Sequence, residues 1–136
     1  MIDSITGYLV LERFIKEKGV ITVPFGKGCY LNYSFKTTPN FLLAEEVTTV
    51  YLHTIFDDKL GNILYGFTNW QTREMFGKLL TVDGVGVKLA LTVLNGFDDG
   101  LLIETIKNGN KKRLMMVKGI GAKVADKIID KLLINK

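Results

Sequence analysis

The chain has 136 residues, 47% of them hydrophobic, with 18 Lys+Arg against 14 Asp+Glu and a net charge of +4. That length suits one domain or two small ones with a real core, and the single cysteine, Cys29, excludes an intrachain disulfide. No run approaches the roughly 18 consecutive apolar residues of a membrane span. The first seven residues lack a basic region followed by a long apolar run, so neither a signal peptide nor a membrane partner is expected and the expected location is cytoplasmic.

The first half reads as short strands. Ile5, Leu9 and Leu11, then Val20–Val23, Cys29–Tyr33, Val47–His53 and Ile63–Tyr65 are β-branched and aromatic runs. Turn residues punctuate them at Lys18-Gly19, at Pro24 with Gly26 and Gly28, at Pro39-Asn40, and from Lys59 to Asn62. Five strands in under 70 residues suit a small barrel, the OB-fold being the common five-stranded form. An SH3-like barrel is the alternative, which periodicity does not separate. Phe25, Tyr30, Tyr33 and Phe35 are candidate platforms for stacking bases, although packing in a barrel core explains them more economically. His53 lies in a predicted strand and is expected to be packed there.

The second half reads as helices. Thr68-Asn69-Trp70-Gln71 has the form of a capping box, with Phe76, Leu79 and Leu80 recurring at helical spacing behind it. A second helix is predicted over Val87–Asn95, ended by Gly96. A third is capped by Asp98 or Asp99 and ends near Asn108-Gly109; a short fourth covers Lys111–Met116 and a fifth Ala122–Ile134. The chain is thus expected to be α+β, with a five-stranded OB-fold barrel over residues 1–66 and an all-helical domain over 67–136. Charge divides the same way. Residues 1–68 hold 6 basic and 7 acidic residues, a net of −1, whereas 69–136 hold 12 and 7, a net of +5, which suits a polyanionic partner of the second half.

An internal repeat sharpens that expectation. Asp83-Gly84-Val85-Gly86-Val87-Lys88-Leu89-Ala90 recurs 35 residues later as Lys118-Gly119-Ile120-Gly121-Ala122-Lys123-Val124-Ala125. Gly-x-Gly between two helices makes a tight hairpin, and its second glycine opens a helix whose free N–H groups and positive dipole end suit a phosphate. Lys88 and Lys123 follow one short step into those helices, and Ala90 and Ala125 allow close helix crossing. The backbone of Gly84, Val85 and Gly86 and of Gly119, Ile120 and Gly121, with Lys88, Lys123 and Lys127, forms the candidate DNA-binding set. Asp83 either repels phosphate or caps the helix that follows. The duplicated pattern resembles the helix-hairpin-helix family, which grips phosphates without reading sequence.

No phosphate loop of the ATPase type is present, and Leu89 replaces the glycine that a dinucleotide fingerprint would need. One His and one Cys make no structural zinc site. The chain ends 15 residues after Gly121, short of where helix-hairpin-helix glycosylases carry their catalytic carboxylate. Neither a catalytic site, a metal nor a cofactor is therefore expected. Two other readings remain open at this point: a general DNA-binding helix-hairpin-helix module, and a non-catalytic remnant of a nuclease or glycosylase.

The order of elements, with Met1-Ile2 and Gly7, Gly26-x-Gly28 with Tyr30, Leu64-Tyr65-Gly66-Phe67 and the two hairpins, resembles the RuvA family of Holliday-junction-binding subunits over nearly the whole chain. The resemblance implies a homotetramer, or an octamer of two, holding an open four-way junction. It implies partnership with a hexameric ATPase and a junction resolvase in recombination, DNA repair and the SOS response. On that basis the chain is the non-catalytic subunit of an ATP-dependent branch-migration complex. The family carries a third helical domain that docks the ATPase, expected to be absent here because the chain stops at Lys136. The family also has two acids before Leu-Tyr-Gly-Phe, the acidic pin; Asp57 and Asp58 are the candidates, in a loop one residue longer with Lys59 beside them.

Overall fold

A computed structural model describes residues 4–11, 18–24, 30–37, 46–67, 69–97 and 100–134. Two compact units divide the chain, the first running to Arg73 and the second from Glu74.

The first unit is a closed barrel of β1 (Ser4–Leu11), β2 (Lys18–Pro24), β3 (Tyr30–Lys36), β4 (Glu46–Asp57) and β5 (Gly61–Phe67), in the order β1-β2-β3-β5-β4. β1 pairs antiparallel with both β2 and β4, with Tyr8 opposite Thr22 and Ile5 opposite Val50. β3 meets β5 in parallel at Lys36 and Tyr65. That parallel closure is the step an all-antiparallel meander lacks, and it makes the barrel an OB-fold. Side chains alternate as a half-buried strand requires: Ser4 and Thr6 face out while Ile5 is buried, and Ser34 and Lys36 face out while Phe35 is buried. Ile5, Ile21, Phe35, Val50 and Leu52 form the core, with Leu64 packed against it. Each such side chain contributes about 1.5–3 kcal/mol on burial.

Gly66 is required by close packing. A Cβ there would lie 2.5 Å from Phe35 Cδ2 and 2.6 Å from Val50 Cγ1, inside van der Waals contact. Phe35 is 2% exposed, so it is core and not a stacking platform. Phe25 lies outside the described residues, as does Cys29. His53 is half-buried in β4, opposite Tyr65.

Among the described residues five helices follow: α1 (Trp70–Leu80), α2 (Val87–Asn95), α3 (Leu101–Lys107), α4 (Lys111–Met115) and α5 (Ala122–Ile134). The Asn69 side chain caps α1, its Oδ1 accepting from the backbone N–H of Gln71 at 2.8 Å and of Thr72 at 3.4 Å; Thr68 lies outside the described residues. α3 starts from Gly100 in the left-handed conformation with no side-chain cap; Asp98 and Asp99 lie outside the described residues. Asn110 caps α4 by accepting from the Arg113 N–H at 3.2 Å.

Candidate nucleic-acid interface

The repeat read from the sequence is a repeat of backbone hydrogen bonds. In hairpin 1, between α1 and α2, Val82 N–H donates to Leu79 C=O, Val85 N–H to Val82 C=O and Ala90 N–H to Gly86 C=O, at 3.1, 3.0 and 2.9 Å. In hairpin 2, between α4 and α5, Val117 donates to Leu114, Ile120 to Val117 and Ala125 to Gly121, at 3.1, 3.1 and 3.0 Å. Every donor and acceptor is displaced by the same 35 residues. Gly84 and Gly119 take φ of +91° and +99°, which L side chains rarely adopt. Leu79 with Ala90, and Leu114 with Ala125, are wholly buried at matching positions.

The two copies also face each other reciprocally. A Cβ on Gly84 would meet Val124 Cγ2 at 3.4 Å, and one on Gly119 would meet Leu89 Cδ1 at 3.0 Å. Leu89 and Val124 are themselves equivalent positions, so the hairpins are related by a local pseudo-twofold: each seats its first glycine on the other's helix.

The second glycines do something different. Gly86 is the N-cap of α2 in extended backbone, with φ −95° and ψ −176°, and makes no side-chain cap bond. A Cβ on Gly86 or on Gly121 would meet nothing within 4 Å. Both are exposed, and neither α2 nor α5 has an acidic residue in its first turn. Each helix therefore offers its first N–H groups and positive dipole end across an open glycine, which is the chemistry of an anion seat. Asp83 does not supply the cap proposed for it, since α2 has none from a side chain.

Lys88 and Lys123 are both exposed beside these helix starts, and Lys127 is exposed one turn further along α5. Val85 and Ile120 are 6% and 5% exposed, so what they can offer a ligand is main chain only. Sequence reading missed one assembly. A groove of about 350 Å³ is lined by Thr81, Val82 and Asp83 of hairpin 1 and by Lys127, Asp130 and Lys131 of α5. Lys127 thus faces the first hairpin, although it lies in the helix that the second one opens.

The acidic loop joins β4 to β5. Asp57 Oδ1 accepts from the backbone N–H of Lys59 at 2.8 Å and of Leu60 at 2.9 Å. Those bonds, the one from Leu60 first and then the one from Lys59, hold the Asp57 carboxyl below the usual carboxylate range. Asp57 therefore folds the turn as well as charging it, while Asp58 is exposed. Phe56 and Leu60 lie on either side of the pair, 69% and 73% exposed, although apolar side chains of this size are ordinarily buried. Among the described residues no group of three His, Cys, Asp or Glu is placed to hold a metal ion.

Residues 76–132 match the family model described as a SAM-like helix-hairpin-helix tandem. The chain is similar to proteins named Holliday junction branch migration complex subunit RuvA. It is 36% identical to that of Borrelia hermsii over 134 residues, 97% of this chain and 65% of the relative. It is 33% identical to that of Helicobacter pylori over 123 residues, 90% of this chain and 62% of the relative. It is 39% identical to that of Halorhodospira halophila over 93 residues, 66% of this chain and 45% of the relative. The chain thus spans just under two thirds of the length of the first of these relatives. An OB-fold barrel followed by a duplicated helix-hairpin-helix, together with this identity along nearly all of its residues, makes the chain similar to RuvA proteins in both its sequence and its order of elements.

Proposed function

We propose that this chain binds four-way junction DNA through its phosphate backbone and acts in branch migration as the non-catalytic partner of an ATP-driven motor. The observation that carries this reading is the pair of equivalent open-glycine helix starts, each followed by an exposed lysine, in one helical unit. Two anion seats related by a local pseudo-twofold suit the two strands of a duplex, and seats made of amides and lysines do not discriminate bases. In that reading Gly84, Val85, Gly86, Gly119, Ile120 and Gly121 contribute main chain, and Lys88, Lys123 and Lys127 contribute charge. The names of the relatives support the junction as the DNA form. A homotetramer, or an octamer, would place one subunit on each arm, with a hexameric ATPase and a junction resolvase as partners in the cytoplasm. Among the described residues no helix is long and apolar enough to cross a membrane.

Asp57 and Asp58 are proposed as the acidic pin at the junction centre. Carboxylates there repel crowded phosphates over a Debye length of about 8 Å at physiological salt, disfavouring a continuous duplex across the centre. Asn at both positions removes the charge, and at position 57 it keeps an oxygen that can accept from Lys59 and Leu60, so the turn survives. A gel shift comparing a synthetic four-way junction with linear duplex of equal length, at two salt concentrations, tests both ideas. The junction is expected to bind more tightly, with the preference narrowing in D57N/D58N at low salt as duplex affinity rises. Equal affinity of the unaltered chain for both DNA forms would reduce it to a general duplex binder.

A further inference from the structure

The pseudo-twofold allows the two hairpins to be compared position by position, and their charges do not match. Asp83 on hairpin 1 is replaced by Lys118 on hairpin 2. Lys127, Asp130 and Lys131, which face hairpin 1 across the groove, correspond to Thr92, Asn95 and Gly96 of the α2 segment. None of those three is charged, and the Thr92 hydroxyl is occupied within its own helix, donating to Lys88 C=O at 2.8 Å. Hairpin 2 thus carries its own cation. Hairpin 1 carries an anion and is served by two lysines from the other repeat's helix, with Asp130 between them. The backbone symmetry holds while the charge has been moved across the pseudo-twofold.

We propose that the groove between hairpin 1 and α5 is a phosphate seat whose cations are Lys127 and Lys131 and whose strength is set by Asp83. This rests on the phosphate-gripping reading above and adds to it which residues serve which hairpin. A phosphate entering the groove meets Lys127 and Lys131 of α5, with Asp130 between them, and the Thr81, Val82 and Asp83 turn of hairpin 1. Asp83, on the same groove wall, offsets part of that positive potential, so hairpin 1 is the weaker of the two grips. All four charged side chains are exposed, so substitutions there act on charge and leave the core intact.

The test is a double-mutant cycle, read by fluorescence anisotropy on a labelled four-way junction across a salt series, with thermal melts confirming that each variant is folded. D83N is expected to tighten binding about twofold to fivefold, the range of one exposed charge interaction. K127A/K131A is expected to flatten the log–log salt slope by about 1.8, two phosphate contacts at roughly 0.9 each. In the K127A/K131A background the D83N gain is expected to fall below twofold. A full D83N gain there would mean that Asp83 acts on the hairpin directly and would overturn the proposal, as would an unchanged slope in K127A/K131A. K88A and K123A keep the two levels apart. If they weaken binding while K127A/K131A does not, only the groove assignment falls; if they too leave binding unchanged, the phosphate-gripping reading falls with it.

Discussion

Residues 79–90 and 114–125 follow the same hydrogen-bond pattern, yet they are built from different materials. In the first copy the helix before the hairpin is the eleven-residue α1, carrying a wholly buried Phe76. In the second that helix is the five-residue α4, and the place of Phe76 is taken by Lys111, which is ion-paired with Asp126 at 3.0 Å. Leu91 is the equivalent of Asp126. One copy therefore uses apolar burial where the other uses a partly exposed charge pair. The backbone hairpin is what the two copies share, and the means of supporting it differ, because any well-packed or well-paired neighbour can hold two helix ends in place.

The largest test of this comparison is at those two equivalent positions. Phe76→Ala should cost about 3–5 kcal/mol, because it empties a filled core site. Denaturant unfolding monitored on the helical unit measures it. A cost below about 1 kcal/mol would show that the first copy does not depend on burial at this point.

The first glycines come next. Gly84→Val and Gly119→Val each force a β-branched side chain into a left-handed conformation, at a cost of about 1–3 kcal/mol. The second should be worse, since its Cβ would sit 3.0 Å from Leu89 Cδ1, against 3.4 Å from Val124 Cγ2 for the first. Both should lose DNA binding along with stability. A smaller loss of stability at Gly119 than at Gly84 would contradict the reciprocal packing.

The second glycines separate binding from folding. Gly86→Ala and Gly121→Ala meet no protein atom within 4 Å, so their melting temperatures should stay near that of the parent. Junction affinity should fall by about tenfold for each, because the methyl group stands between the helix-start amides and a phosphate. Unchanged affinity in both would remove the helix starts from the interface. The lysines act more gently: Lys88→Ala and Lys123→Ala should each flatten the salt slope by about 0.9 and weaken binding to all sequences alike. A change in base preference in either would contradict backbone gripping.

The smallest effect is expected at the charge pair. Lys111 and Asp126 are 40% and 56% exposed, so Lys111→Ala should cost about 0–1 kcal/mol, and less at high salt. Set beside Phe76→Ala, it measures directly how differently the two copies are supported. A salt-independent cost of several kcal/mol would make this pair a core interaction.

Much of the molecule is legible along the chain, because the signals are local. Alternation places Ile5, Val50 and Leu52 inside the barrel, since a strand's side-chain period is two. The 35-residue repeat, with Gly, Gly, Lys and Ala at fixed offsets, marks both hairpins, since only glycine tolerates the turn and only a small residue fits the crossing. Other features depend on residues distant in sequence, and the tertiary structure decided them. Asn69 is one of several competent caps in its stretch of sequence, and it serves as the cap because α1 begins at Trp70. The parallel closure of β3 on β5 joins segments that no periodicity relates. Asp57 reads as a free charge until the turn bends Lys59 and Leu60 back onto its carboxylate. Asp83 and Lys127 stand 44 positions apart and line one groove only because the repeat folds back on itself about a pseudo-twofold. Composition records how much charge a chain carries, but the field a phosphate meets depends on which charges share a surface, and that is a property of packing.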